Sequence, residues 1–498
     1  MNNCVEQTTA ECRVPFILEN AGTIFAKNSA LVSDKTAIDY ECYNQVSKIT
    51  ANLIKSASFR QGDRVAICDY NSIEYCIFLM ALLRIGIIAI PICTRLPQKI
   101  IFESLEHIDC NAIITPTDFN SLITGYTIKK YQLTDFVSNC ENVSVKKIEA
   151  HGKEEREKHL SFHRVATILF TSGSAGNPKA VGHTYANHYY SAAGANENIP
   201  FQSGDCWLLS LPLYHIGGFA ILFRAALGGG TVVVPPEKMR LSDALQQFNI
   251  THISLVSTQL YKLLQEKHTI KALSMLKAIV LGGGFITPSL IKRAIELRLP
   301  VYTSYGSTEA ASQVTTTRTV DRTEKFCTAG KSLKYRHIKI ADDGEILIKG
   351  ETLFKGYVER NRIISAVDEN GWFKTGDIGY IDDEGYLTVT GRKDNMFISG
   401  GENIYPEEIE QALSEHPDVE NSVVISIPDE EYGARPGAFI QLRYNKPLNK
   451  TMLREFLLQR LPSFKIPDYL WKMPEYIIRD NNLKSDRKML AEIARKRL

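Results

Sequence analysis

Residues 171–179 read Thr-Ser-Gly-Ser-Ala-Gly-Asn-Pro-Lys and follow an apolar run, Val165 to Phe170, that has the pattern of a buried strand. Thr171, Ser172 and Ser174 offer hydroxyl donors. Gly173 and Gly176 let backbone N–H groups approach a ligand closely, and Lys179 adds a cation at the far end. This set suits a polyphosphate; the plainer alternative is a polar turn after a strand. It is not the G-x-x-x-x-G-K-[ST] loop, because Gly176 lies three residues before Lys179 and Ala180 stands where a magnesium-binding hydroxyl would. Further along, Tyr305-Gly306-Ser307-Thr308-Glu309 follows a short strand, Val301 to Thr303. It combines a flat ring for a purine, a hydroxyl for a phosphate and a hard oxygen for Mg2+. Taken alone, a tyrosine–glycine turn is more often structural. Asp377, in Lys374-Thr375-Gly376-Asp377 between Trp372-Phe373 and a strand, either accepts hydrogen bonds from both hydroxyls of a ribose or caps its own turn.

Arg224 lies within an apolar run, Phe219 to Leu227. An unpaired guanidinium there is costly, so it needs a protein carboxylate, carbonyl groups or an anionic substrate as partner. A second acidic group on the substrate would meet that need; a fatty acyl chain would not.

The elements around these groups alternate. Tyr43 to Ser58, Ile73 to Ile85 and Gln98 to Ile108 have helical spacing, while Arg64 to Cys68, Ile87 to Ile92 and Ala112 to Ile114 read as strands. The rhythm predicts an α/β fold: a large N-terminal domain with parallel-rich sheets flanked by helices. Short strands and tight turns after Ile338, one of them at Asp382 to Gly385, predict a small antiparallel subdomain. Beyond Gly391, helix, strand, strand and helix predict a small α+β domain, which places domains at 1–391 and 392–498. A length of 498 residues agrees with more than one core.

The net charge of +2 gives no reason to invoke nucleic acid or an anionic membrane. The longest apolar run, Ile77 to Cys93, contains Arg84 and Pro91 and reads as helix then strand, so no membrane span is expected. Ten cysteines without a C-x-x-C pair, and a start without signal-peptide features, predict reduced thiols and a cytoplasmic location.

The loop from Thr171 resembles the phosphate loop of AMP-forming adenylating enzymes, T-S-G-[ST]-T-G-x-P-K-G, with Ala175 and Ala180 replacing a threonine and a glycine. Tyr305 to Glu309 resembles that superfamily's Y-G-x-T-E, and Thr375-Gly376-Asp377 its T-G-D. Gly282-Gly283-Gly284 resembles its G-G-[AG] loop, and Gly391-Arg392-Lys393-Asp394 the G-R-x-[DK] of its interdomain hinge. Ser399-Gly400-Gly401-Glu402-Asn403-Ile404-Tyr405-Pro406 resembles the loop beside its thiol acceptor. The motifs stand in the superfamily's order.

The resemblance implies an acid–thiol ligase that uses ATP, Mg2+ and coenzyme A, with a mobile C-terminal lid. By it, Thr171, Ser172, Gly173, Ser174, Gly176, Lys179, Gly283, Gly284, Ser304, Tyr305, Gly306, Asp377 and Arg392 hold the nucleotide. Glu309 holds Mg2+, Thr308 meets the reacting phosphate, Gly400 and Gly401 face coenzyme A, and the lid turns about Asp394. The catalytic lysine, presented by the superfamily as G-K near the C-terminus, is matched to Lys484, here preceded by Leu483. Lys488, the rival, falls in an expected helix from about Asp486 to Arg497.

Leu209 to Arg224, Ser254 to Leu260 and Val301 to Thr316 resemble one branch, the o-succinylbenzoate–CoA ligases of menaquinone biosynthesis. Their acid is a keto-dicarboxylate whose aliphatic carboxyl is activated and whose aromatic carboxylate stays ionised. The branch implies His215, also expected to be catalytic, and Gly283 beside the acyl group, with Arg224 on the ionised carboxylate. The partners are then small molecules: the acid, ATP and coenzyme A. Homo-oligomerisation is left open. So are another carboxylate–CoA ligase for an aromatic or fatty acid, a module loading a separate carrier protein, a luciferase-like oxidase and a silent scaffold.

Overall fold

Segments such as Arg64-Val65-Ala66-Ile67 and Ala278-Ile279-Val280-Leu281 have little or no polar face, which suits a strand in the middle of a sheet covered on both sides. The computed structural model describes residues 13–96, 98–116, 128–137, 160–171, 178–284, 286, 288–318, 321, 323–399, 402–429, 432–475, 477 and 487–497. It places these strands inside sheets of eight and nine strands. Central strands pair in parallel, and antiparallel pairs lie toward the ends, except that the edge strand Lys129–Tyr131 is parallel to its neighbour. Along Ala278–Leu281, Ala278 and Val280 enter one core with Phe219 and Phe223, while Ile279 and Leu281 enter another with Leu260 and Ile291. Helices therefore cover both faces.

The elements that carry the site are labelled in chain order. β1 (Val165–Phe170) and β2 (Ala180–Thr184) are followed by α1 (Tyr185–Asn198) and α2 (Ile216–Gly228). Then come β3 (Ala278–Leu281), β4 (Val301–Ser307), β5 (Ser312–Thr316), β6 (Glu345–Gly350), β7 (Phe373–Ile381) and β8 (Leu387–Arg392). The last are α3 (Pro406–Ser414), β9 (Val419–Asp429), β10 (Gly433–Leu442) and α4 (Arg487–Arg495). β6, β7 and β8 join Arg336–Ile340 in a four-stranded antiparallel sheet. Near the C-terminus β9, β10 and Tyr469–Lys472 form a three-stranded sheet that shares a core with α3 and the helix Lys450–Leu458. The architecture is α/β with a large mixed-sheet N-terminal part and a smaller α+β part.

Most expected elements are present with shifted ends. Tyr43 to Ser58 is Tyr40–Ser56, started one turn earlier because the Asp39 carboxylate accepts from the Cys42 N–H at 2.7 Å. Two expectations need correction. Tyr305 and Gly306 do not follow a short strand but lie within β4, which continues to Ser307 by antiparallel pairing with β5. Lys374 to Asp377 does not precede a strand; it lies in β7, where Gly376 has φ +72° beside a register shift against β6. Among the described residues no helix is long and apolar enough to cross a membrane.

Candidate active site

β1 and β2 are antiparallel neighbours, and the Thr171 N–H donates to the Lys179 carbonyl at 3.0 Å. The C-terminal end of β1 and the start of β2 are therefore held side by side at Thr171 and Lys179. Ser172, Gly173, Ser174 and Gly176 lie outside the described residues. The Lys179 ammonium sits 5.1 Å from the centre of the Tyr357 ring, and the Tyr357 hydroxyl donates to Glu309 Oε1 at 3.0 Å. A cation and a carboxylate from distant segments thus flank one phenol, which burial and the Glu309 charge push well above its ordinary pKa. Sequence reasoning missed Tyr357: a tyrosine after Gly356 in a strand of four residues carries no motif.

Asp377 is engaged on both oxygens. Tyr305 donates its hydroxyl to Oδ2 at 2.7 Å, and Arg392 donates to Oδ1 at 2.9 Å. Arg392 also reaches the Thr375 carbonyl at 3.2 Å and Asp394 at 3.3 Å. Burial, then Asp377, hold the Tyr305 phenol well above its usual value. Gly306 is required here by contact rather than by φ: a Cβ would lie 2.0 Å from the Ser312 carbonyl oxygen. Ser304 donates to the Thr315 carbonyl at 2.8 Å. Gly283, with φ +78°, and Gly284 lie just beyond β3, and a Cβ on neighbouring Gly282 would stand 3.0 Å from the Ser304 carbonyl oxygen. The Thr308 carbonyl lies 2.6 Å from His183 Nε2.

His215 is the N-cap of α2, exposed, with its ring 4.7 Å from that of Tyr214. Desolvation by its surroundings and the Arg95 cation lower its pKa, so it is neutral at pH 7. Arg224 lies about two turns further along α2 and has partners of its own. There its Nη2 reaches the Ile199 carbonyl at 2.8 Å and the Ala195 carbonyl at 3.4 Å, Nε reaches Asn196 Oδ1 at 2.8 Å, and Nη1 reaches Gln313 Oε1 at 3.4 Å. The guanidinium lies 4.2 Å over the Trp207 ring. It therefore satisfies carbonyls at the C-terminal end of α1 and the dipole there. Among the described residues no partner is a carboxylate. Burial and the neighbouring Arg336 lower its pKa to about 9. Gln313 in turn donates to Thr316 Oγ1 at 3.0 Å and to Ser304 Oγ at 3.4 Å, which links Arg224 to β4.

Gly391 leaves room for Glu407, whose Oε2 would be 2.8 Å from a Cβ at that position. Asp394 belongs to the short turn Lys393–Asn395, which Lys393 ties to Asp343 at 2.6 Å and to Glu345 at 2.9 Å. Arg487, the first residue of α4, donates to Glu407 at 3.2 Å, to Glu410 at 2.9 Å and to the Val424 carbonyl at 2.6 Å. Gly400, Gly401 and Lys484 lie outside the described residues. The two glutamates were missed because Pro406-Glu407-Glu408-Ile409-Glu410 reads as an ordinary acidic helix start. Burial pushes the Glu410 carboxyl up to about 7, although Arg487 pulls the other way. The native carboxyl then binds its proton more tightly than an unfolded one, so between about pH 4.5 and 7 stability falls as pH rises. Glu410→Gln, which keeps the side chain's size without its titration, is expected to lose less melting temperature than wild type between pH 5 and pH 8. Identical slopes for the two proteins in thermal unfolding would count against this.

The description "AMP-binding enzyme" fits residues 18–358, and "AMP-binding enzyme C-terminal domain" fits residues 408–476. The 2-succinylbenzoate–CoA ligase of Bacillus subtilis is 34% identical over 450 residues, covering 88% of this chain and 90% of that protein. That of Listeria innocua is 32% identical over 430 residues, covering 86% and 88%. The o-succinylbenzoate coenzyme A synthetase of Bacillus subtilis in complex with ATP and magnesium ion superposes with a TM-score of 0.83 at 32% identity, over 93% of this chain and 96% of that one. The same enzyme in complex with its acyl-adenylate intermediate gives 0.81 at 31% identity, over 93% and 95%.

Proposed function

Because this chain belongs to the AMP-binding enzyme family and is an AMP-forming carboxylate–CoA ligase, we propose that the acid it activates is 2-succinylbenzoate, for menaquinone biosynthesis in the cytoplasm. The observation that carries this choice is Arg224: a buried guanidinium whose hydrogen-bond partners among the described residues are all neutral. Buried charge of one sign favours a ligand that brings the other. The names borne by the relatives point the same way.

In the first half-reaction the substrate carboxylate attacks the α-phosphate of ATP, giving an acyl-adenylate and pyrophosphate. Both reactants are anionic, so neutralisation and positioning do the work and no enzyme nucleophile is needed. We assign Lys179 and the loop from Thr171 to the phosphates, Thr308 and Lys484 to the reacting phosphate, and Asp377 with Arg392 to the ribose. Tyr305, Ser304, Gly306, Gly283 and Gly284 line the nucleoside side, and His215 meets the acyl group as a neutral imidazole. Glu309, a hard oxygen donor kept by Tyr357 close to Lys179, fits Mg2+, which supplies charge neutralisation on the phosphates. In the second half-reaction residues 392–498 turn about Asp394, Lys484 withdraws, and Gly400 and Gly401 meet coenzyme A, whose thiol displaces AMP.

A second reading is a monocarboxylate ligase, favoured by the structural employment Arg224 already has at the end of α1. A panel of acids with ATP and coenzyme A separates the two. AMP and pyrophosphate release is expected with 2-succinylbenzoate, with kcat/KM about tenfold or more above that of 4-oxo-4-phenylbutanoate, which lacks only the aromatic carboxylate. Equal use of both, or preference for benzoate or a fatty acid, would defeat the proposal.

A further inference from the structure

His183, on β2, is fully buried and belongs to none of the motifs discussed above. Its Nε2 lies 2.6 Å from the Thr308 carbonyl oxygen. A carbonyl only accepts, so Nε2 carries the proton and Nδ1 is left as an acceptor. That Nδ1 is buried and has no hydrogen-bond partner among the described residues. Packing alone would be served at lower cost by an aliphatic side chain, since an unpartnered buried acceptor is destabilising. The ring does something that leucine cannot.

What it holds is a strained turn. Where the chain turns from β4 into β5 the backbone takes positive φ at two non-glycine residues, Ala311 at φ +51° and Ser312, the first residue of β5, at φ +100°. Such a turn persists only if its surroundings fix it. Three of its carbonyls are held from other elements: Thr308, which also accepts from the Ala311 N–H at 3.0 Å within the turn, by His183, Glu309 by the Phe354 N–H at 2.8 Å, and Ala311 by the Ser191 hydroxyl at 2.5 Å. His183 is itself held in a rigid wall. Its ring centre is 5.2 Å from that of His188, which lies 4.7 Å from Phe219 and 5.3 Å from Phe223 of α2. His188 Nε2 is 2.7 Å from Thr167 Oγ1 on β1. The strands flanking the phosphate loop, the helix headed by His215 and the Thr308 turn thus meet at two imidazoles.

We propose that His183 is a positioning residue for adenylate formation: its Nε2–H fixes the Thr308 peptide, and through it the aim of the Thr308 hydroxyl and the Glu309 carboxylate. The inference rests on the placement of Thr308 and Glu309 at the nucleotide argued above. Burial holds the His183 imidazole at a pKa of about 4, so the neutral tautomer described persists across the working pH range.

The test compares His183→Leu, which removes the donor, with His183→Gln, whose amide places an N–H near the position of Nε2. ATP–pyrophosphate exchange by the Leu variant is expected to fall about tenfold or more in kcat, since small misplacements of reacting groups are costly, with KM for ATP changed less than about threefold. The Gln variant should recover to within about threefold of wild type. Thioesterification of supplied acyl-adenylate should survive in both. Wild-type exchange in the Leu variant, or equal losses in Leu and Gln, would overturn the proposal. Thr308→Val separates the underlying reading: if it keeps full exchange the site assignment fails, whereas its loss alongside an intact His183→Leu removes only the role of His183. Should the Leu variant not fold, 15N spectra of histidine-labelled wild type decide the matter: a neutral Nε2–H ring at pH 7 supports the role, and an Nδ1–H ring or an imidazolium refutes it.

Discussion

Lys484→Ala is expected to lose ATP–pyrophosphate exchange by about 10²–10³-fold, the scale found when a preorganised group on developing charge is removed. An ammonium on a four-carbon stem can reach a carboxylate oxygen and an α-phosphate oxygen together, and nothing else in the proposed constellation replaces that charge. The loss belongs to one half of the chemistry. Acyl-adenylate supplied from outside should still react with coenzyme A at close to the wild-type rate, because the lysine has by then withdrawn. Single-turnover assays of each half measure the two separately. Full exchange activity in the variant would move the role to another cation, Lys488 being the first to try.

The second large effect concerns the acid. Arg224→Leu should lower kcat/KM for 2-succinylbenzoate by about 1.5–3 kcal/mol, the range for hydrogen bonds to charged groups. Because the same guanidinium caps α1 at Ala195 and Ile199, some loss of stability is expected with any acid. The informative quantity is therefore a ratio: preference for 2-succinylbenzoate over 4-oxo-4-phenylbutanoate, measured in both proteins. That preference should collapse in the variant. If the ratio is unchanged while both rates fall, Arg224 is a structural cap and the charge of the acid is read elsewhere.

What the chain discloses by itself follows from what is local. Loop glycines, hydroxyls and one lysine in nine residues are visible at once, and so is the βαβ rhythm that must hold them. The doubly covered sheets were legible because Ala278–Leu281 and Arg64–Ile67 have almost no polar residue to put outward. Partners brought together only by folding were not. Tyr357 reaches Glu309 across 48 positions of sequence, His183 reaches Thr308 across 125, and Arg487 reaches Glu407 across 80. Each is an ordinary residue type in an ordinary local context. The extent of β4 was misjudged for a related reason: Tyr305-Gly306 looks like a turn until β5 returns to pair with it. Arg224 was identified as needing a partner, but the choice between carbonyls and a carboxylate depends on where α1 ends, which periodicity leaves uncertain by a turn.

The doubly bonded state of Asp377 has a consequence for turnover. If ribose is to occupy that carboxylate, its hydroxyls can add at the lone pairs these two donors leave open, because the two oxygens offer about four acceptor sites and Tyr305 and Arg392 use one on each. On that assignment the carboxylate is aimed before any sugar arrives, and after AMP departs the same two side chains leave it no less supported for the next nucleotide.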